Sequence, residues 1–238
     1  MGGALLLGFF IGMRHALEAD HVAAVASLVS GSRSRRDAVR LGLAWGMGHT
    51  ATLCFVGALV MSLDTVLPMR IALVLEFAVG LMLIWLGFDV LRRLVRARVH
   101  FHTHRHADGT EHFHAHAHSA GGPHNGAAHD HFHVRHAPLR AFVVGLMHGM
   151  AGSAALILVA LDQFESLWTG LFYLALFGAG SMAGMALLSV AIAVPLRRAL
   201  DRITWAYNAL IGGVGVVTVC IGAWVIYQTV VIEGVFGA

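Results

Sequence analysis

The sequence predicts an all-α membrane protein: six transmembrane helices forming two inverted three-helix repeats, with a histidine-rich disordered loop between the halves. Three observations carry this expectation. Of 238 residues, 58% are hydrophobic and 12% charged, with mean hydropathy +0.73, whereas soluble domains carry about 25% charged residues. Six stretches reach the roughly 20 mostly apolar residues that cross a hydrocarbon core about 30 Å thick. Finally, motifs in the first half recur in the second at a nearly constant offset.

The stretches fall at 4–29, 41–63, 71–91, 139–161, 167–194 and 207–232, dividing the chain into a first repeat (1–91), a loop (92–138) and a second repeat (139–238). The opening MGGALLLGFFIGMRH has no basic leader or small-residue cleavage site and is broken by Arg14, so it reads as a span and not as a removable signal peptide. Cys54 and Cys220 sit inside apolar runs, which argues against a disulfide scaffold, a CxxC redox site or a zinc ribbon.

Orientation follows from the arginines. All 16 basic residues are Arg, and fourteen of them follow the first, third and fifth spans: Arg33, Arg35, Arg36 and Arg40; seven between 92 and 140; then Arg197, Arg198 and Arg202. The opposite connections hold Asp64, Asp162, Glu165 and a single Arg70. Basic residues mark cytoplasmic connections, so both termini are expected outside the cytoplasm of a bacterial inner membrane. The pI near 9.4 is then a topology signal, and nucleic acid is not an expected partner.

A shift of 133 lays Gly12-Met13-Arg14-His15 on Gly145-Leu146-Met147-His148 and Asp20 on Ser153; a shift of 132 lays Gly46-x-Gly48-His49 on Gly178-x-Gly180-Ser181 and Glu76-x-x-x-Gly80 on Asn208-x-x-x-Gly212. Three spans per half make the halves inverted, a recurrent transporter construction with its site near the midplane. Gly8/Gly12, Gly42/Gly46, Gly145/Gly149 and Gly180/Gly184 are small-xxx-small pairs suited to close helix contact.

Four of 17 histidines, His15, His21, His49 and His148, lie within apolar spans, where ionisable groups are costly and usually functional. The block HALEADH puts His15, Glu18, Asp20 and His21 within seven residues, and imidazole with carboxylate suits first-row divalent ions. On a regular helix His15, Asp20 and His21 fall roughly 100° to 140° apart. Either they meet different neighbours or the helix is unwound there, as at many transporter sites. An Arg14–Glu18 salt bridge with interhelical histidine bonds is the structural alternative. Accessory candidates are Glu18, His148, Ser153 and Glu76.

Residues 100–136 hold the other 13 histidines among Ala, Gly and Asp, a composition that supports no packed core. The His-x-His runs of His100, His102, His104, His106, His112, His114, His116 and His118 are candidate chelators that would buffer, hand over or sense divalent ions on the cytoplasmic side. They offer no selectivity or gating, so the transport site is expected in the spans.

RHALEADHVAAV (14–25) resembles the signature helix of the nickel/cobalt transporter family, H-x-x-x-x-D-H, matched by His15, Asp20 and His21; WGMGHTATL (45–53) is similar to that family's next helix and brings in His49. The resemblance implies a polytopic carrier of Ni²⁺ or Co²⁺ as cargo, with no required cofactor, in which these four residues bind the ion. GLMHGMAGSAAL (145–156) resembles the compact members associated with urease accessory proteins. The efflux branch shares six spans and a histidine loop, but tends to carry Pro-Gly where Ala19 and Asp20 stand here, so Asp20 favours uptake. Partners expected are the lipid bilayer and divalent ions, with a cytoplasmic metallochaperone or a second copy as further candidates.

Other classes fit less well. Zinc carriers also pair several spans with a histidine loop, yet no soluble C-terminal domain is expected here and no H-N-x-x-D motif occurs in the sequence. An intramembrane serine protease needs a base near its nucleophile; Ser153 follows Gly152, but His148 at i−5 lies about 140° around the helix, and H-E-x-x-H is absent. An enzyme is therefore not expected. No ATP-binding motif occurs, so an ion gradient, the membrane potential or a partner must drive net movement.

Overall fold

The computed structural model describes residues 2–32, 34–63, 68–96, 99–105, 111–117, 137–151, 166–202 and 204–235. Among the described residues seven α-helices run in order: α1 (Gly2–His15), α2 (Ala19–Val29), α3 (Arg35–Leu63), α4 (Met69–Arg96), α5 (Ala137–Ala151), α6 (Leu167–Arg202) and α7 (Thr204–Tyr227), the last continued by a π-helical turn, Gln228–Ile232. Between α4 and α5 lie strands β1 (Val99–Arg105) and β2 (Glu111–Ala117).

Two expectations are refined. Among the described residues four helices, α3, α4, α6 and α7, are long and apolar enough to cross a membrane, and the first and fourth of the six expected spans are not among them. The first stretch is not one helix, because α1 ends at His15 and α2 restarts at Ala19 after an extended Glu18 (φ −63°, ψ 148°). Local charge favours that break: Arg14 and His15 close α1, while Asp20 opens α2, each complementing the partial charge of its helix end. A hydropathy window averages over such a break. The fourth stretch is described only as far as Ala151, and the remainder of 139–161 lies outside the described residues.

The second change concerns the loop, which is not without structure. β1 and β2 form an antiparallel hairpin whose backbone register sets His100 opposite His116, His102 opposite His114 and His104 opposite His112. Period-two alternation of His with Phe, Thr and Ala is a strand pattern, so a composition without a core still permits a local ladder.

The helical surface is apolar. Phe10, Phe55, Trp85, Phe88, Trp168, Trp205 and Trp224 are all more than half exposed, an arrangement suited to lipid and costly in water. Inside, Trp45, Phe177, Leu83, Leu86 and Met185 are buried. At α6, 36 residues span about 54 Å at 1.5 Å per residue, longer than the hydrocarbon core. Its last turns, past Pro195, hold Arg197, Arg198 and Arg202 in sequence.

Close backbone approach through glycine sets the packing. A side chain at Gly12 would strike the Phe177 carbonyl, and one at Gly145 the Trp45 carbonyl; Gly48 likewise faces the Phe142 carbonyl and Gly180 that of Phe9. Thus α1 lies on α6, α5 lies on α3, and α3 and α6 pack together, while α4 pairs with α7 through Gly80, Gly87, Gly215 and Gly222. Thr50 donates to the Gly178 carbonyl (3.1 Å) and Thr52 to that of Leu146 (3.0 Å), fixing α3 to both neighbours. Where α1, α2, α3 and α5 converge, the polar side chains of the apolar spans meet.

Candidate metal centre

The break after α1 gives the HALEADH block its geometry. With the chain turning through Ala16–Leu17–Glu18, His15 at the end of α1 and His21 in the first turns of α2 face one another, ring centroids 4.3 Å apart. From α3, His49 stands 5.4 Å from His15 and 5.3 Å from His21. The ring of His148, on α5, lies 4.3 Å from that of His21 and is tilted 57° to it. Four histidines from four helices therefore form one cluster. His21, His49 and His148 are each 1% exposed and His15 is 7% exposed.

Two carboxylates brace the rings. Asp20 Oδ1 accepts from the His21 backbone N–H (2.8 Å) and from its ring Nδ1 (2.9 Å), and Asp20 Oδ2 accepts from His148 Nε2 (2.9 Å). Glu18 Oε1 accepts from His15 Nδ1 (2.8 Å). Glu18 thus pairs with His15 and not with Arg14. In a neutral imidazole whose Nδ1 carries the proton, Nε2 keeps a lone pair, so for His15 and His21 these bonds select the tautomer that presents Nε2, and for His148, bonded through Nε2, the one that presents Nδ1.

The remaining ring nitrogens are unused within the protein. His15 Nε2, His21 Nε2, both nitrogens of His49 and His148 Nδ1 are buried without a hydrogen-bond partner. Each such orphan costs about 1–3 kcal/mol, a set of penalties hard to reconcile with a purely structural role. One ligand atom each from His15, His21 and His49 lies within 4.8 Å of the others, and the same holds for Asp20, His21 and His148. Nitrogens about 2.1 Å from an ion stand roughly 3–3.5 Å apart around it, so either group closes on an ion with side-chain shifts of an ångström or so.

Of the residues singled out from sequence, His15, Asp20, His21, His49, Glu18 and His148 meet here. Glu76 on α4 is half-buried and joins neither group. Ser153, His106 and His118 lie outside the described residues, and the other loop candidates occupy the hairpin. Two neighbours escaped the sequence reading. Trp45 packs on His21 and His148 (5.4 Å each) and on His49 (6.3 Å), while Phe177 packs on His15 (5.3 Å). The signal was available: Trp45 precedes His49 by four residues, and the 132-residue shift that pairs His49 with Ser181 also pairs Trp45 with Phe177. Ser181 is itself fully buried with an unpartnered hydroxyl.

A cavity of about 460 Å³ adjoins the cluster, lined by Ile11, Arg14, His15, Leu17, Glu18 and Phe177. The cavity lies at the α1–α2 break, beside His15.

Comparison with known proteins agrees with this chemistry. The profile of the family described as high-affinity nickel-transport protein matches residues 1–235. The urease accessory protein UreH of Bacillus sp. (strain TB-90) is similar, 31% identical over 235 residues that cover 98% of this chain and 94% of that protein. No solved structure matches the chain.

Proposed function

This chain belongs to the high-affinity nickel-transport protein family, and on that premise we propose that it carries Ni²⁺, with Co²⁺ as a second cargo, into the cell through the buried histidine cluster. The observation that carries this reading is the set of unpartnered nitrogens on His15, His21 and His49, buried and within ligand-sharing distance. Imidazole donors suit late first-row ions, and the cluster offers no set of oxygens for calcium or magnesium.

The ion sheds most of its water and is received by His15, His21 and His49. Asp20, behind His21, and Glu18, behind His15, hold the rings in orientation and offset the charge, as carboxylates behind ligand histidines do elsewhere. The paired approaches Gly12–Phe177 and Gly145–Trp45, and Gly48–Phe142 and Gly180–Phe9, support inverted halves, 1–91 and 139–238, that rock about the cluster in alternating access. The arginine bias supports a cytoplasmic histidine loop, which buffers arriving ions or passes them to a metallochaperone. Asp20, in place of the efflux branch's Pro-Gly pair, supports uptake.

Radiolabelled nickel flux in both directions, in cells expressing the protein, tests the reading. Net accumulation above empty cells, abolished by His21→Ala at equal membrane abundance, is expected. Flux indistinguishable from empty cells, or net export, would overturn transport or its direction respectively.

A further inference from the structure

The cluster contains two ligand groups and not one, and they share a single residue. His15, His21 and His49 form the first; Asp20, His21 and His148 form the second. His21 belongs to both, its ring 4.3 Å from that of His15 and 4.3 Å from that of His148. Its two nitrogens differ in setting: Nδ1 is bonded to Asp20, while Nε2 is buried and unpartnered. The cavity reaches the first group at His15, whereas His148 is 1% exposed and tied to Asp20.

We propose that His21 is a two-faced ligand shared by two overlapping, mutually exclusive subsites, and that the ion crosses the cluster by passing from the His15–His21–His49 group to the Asp20–His21–His148 group. This rests on the reading of the cluster as the transport site. The first subsite is all nitrogen and neutral, reached from the cavity, and uses the free Nε2. The second adds the Asp20 carboxylate and takes the opposite nitrogen.

Proton balance is kept at each ring. When the ion moves to His21 Nδ1, the proton on that atom is released to water and one is taken up from water at Nε2. His148 likewise loses its Nε2 proton and gains one at Nδ1, which has no partner in the protein. Both imidazoles begin and end neutral, and Asp20 exchanges two hydrogen bonds for a bond to the cation. Because a neutral imidazole keeps a single lone pair, His21 serves one ion at a time, so the subsites hold one ion between them and the step is a transfer and not storage.

The test is radiolabelled Ni²⁺ flux through the full-length protein in right-side-out and inside-out membrane vesicles, with His15→Gln, His148→Gln and Asp20→Asn compared at equal abundance. For the direction in which ions enter by the cavity, His15→Gln is expected to raise KM roughly tenfold or more, while His148→Gln and Asp20→Asn lower the maximal rate and leave KM near the wild-type value. In the reverse direction the pattern exchanges. KM rising alike for all three variants in both directions would mean a single site and overturn the proposal. Should either glutamine variant fail to accumulate in the membrane, the Asp20→Asn comparison still decides. Absence of wild-type nickel flux would instead overturn the transport reading itself.

Discussion

Asp20 and His21, adjacent in sequence, are joined twice: one carboxylate oxygen accepts from both the backbone N–H and the ring Nδ1 of His21. Neighbouring residues rarely turn both side chains to a common point within an α-helix, since successive positions diverge by about 100°. Here the pair opens α2, where the chain has just left an extended residue, and the short loop of hydrogen bonds locks the ring to its own backbone.

Asp20→Asn therefore tests orientation with the shape retained. The amide oxygen must go on accepting from the His21 backbone N–H, so the NH₂ takes the place of Oδ2 and donates to His148 Nε2, which shifts that ring's proton to Nδ1, and the negative charge is lost as well. Nickel accumulation is expected to fall roughly 10–100-fold, the range for loss of a carboxylate behind a ligand histidine, with membrane abundance unchanged. Accumulation at the wild-type level would show that Asp20 neither orients nor ligates.

Glu18→Gln should be milder. Its carboxylate is 57% exposed, so solvent screens its charge, and His15 keeps its position at the end of α1 through the packing of Phe177. Accumulation reduced by a few-fold, with the loss appearing in KM, is the expected outcome; a loss as deep as that of Asp20→Asn would place Glu18 among the ligands.

Protonation supplies a prediction of definite sign. An imidazolium has no lone pair, so protons compete with Ni²⁺ for His15, His21 and His49, and binding must release any proton held. Apparent affinity should decline as the pH of the cavity side is lowered through the range in which histidines charge. Nickel flux measured against pH at fixed free Ni²⁺ checks this, and affinity that rises on acidification would contradict histidine ligation.

Packing can be probed apart from chemistry. A Cβ at Gly145 would meet the Trp45 carbonyl, on the helix that also presents His49, whereas one at Gly213 on α7 meets nothing within 4 Å. Gly145→Val should destabilise by about 1–3 kcal/mol or more, as overpacking of a close contact does. Gly213→Ala should be neutral or slightly stabilising, given alanine's helix preference of up to about 1 kcal/mol over glycine. Thermal unfolding in detergent separates the two; equal stability would contradict the close α3–α5 approach.

Much of this arrangement was legible in the residues because each element carried a local signal. Apolar length located α3, α4, α6 and α7, and polar residues at apolar depth singled out His15, Asp20, His21, His49 and His148. Periodicity showed that a straight helix could not gather the HALEADH block, but not where it would break; that depends on Arg14 and His15 meeting one helix end and Asp20 the next. The roles of Trp45 and Phe177 were hidden for a different reason. Buried aromatics in an apolar span look alike until tertiary packing shows which of them wall a polar site. The hairpin was missed because the absence of a core was read as the absence of structure, although β1 and β2 need only each other for their ladder.

Removal of residues 100–136 separates the cluster from the loop. The histidines of the spans are held by α1, α2, α3 and α5, none of which depends on the hairpin for a hydrogen bond among the described residues. A short polar linker in place of 100–136 should therefore leave nickel flux through the membrane largely intact. The loop's histidines stand opposite one another in backbone register at three places, and they should govern what happens after passage, so the deletion is expected to alter apparent affinity or the retention of nickel inside the cell. Uptake and washout of radiolabelled nickel, compared between the full chain and the deletion, measure both. Total loss of initial-rate flux, with the shortened protein present in the membrane, would place the loop on the transport path; an unchanged washout would remove its buffering role.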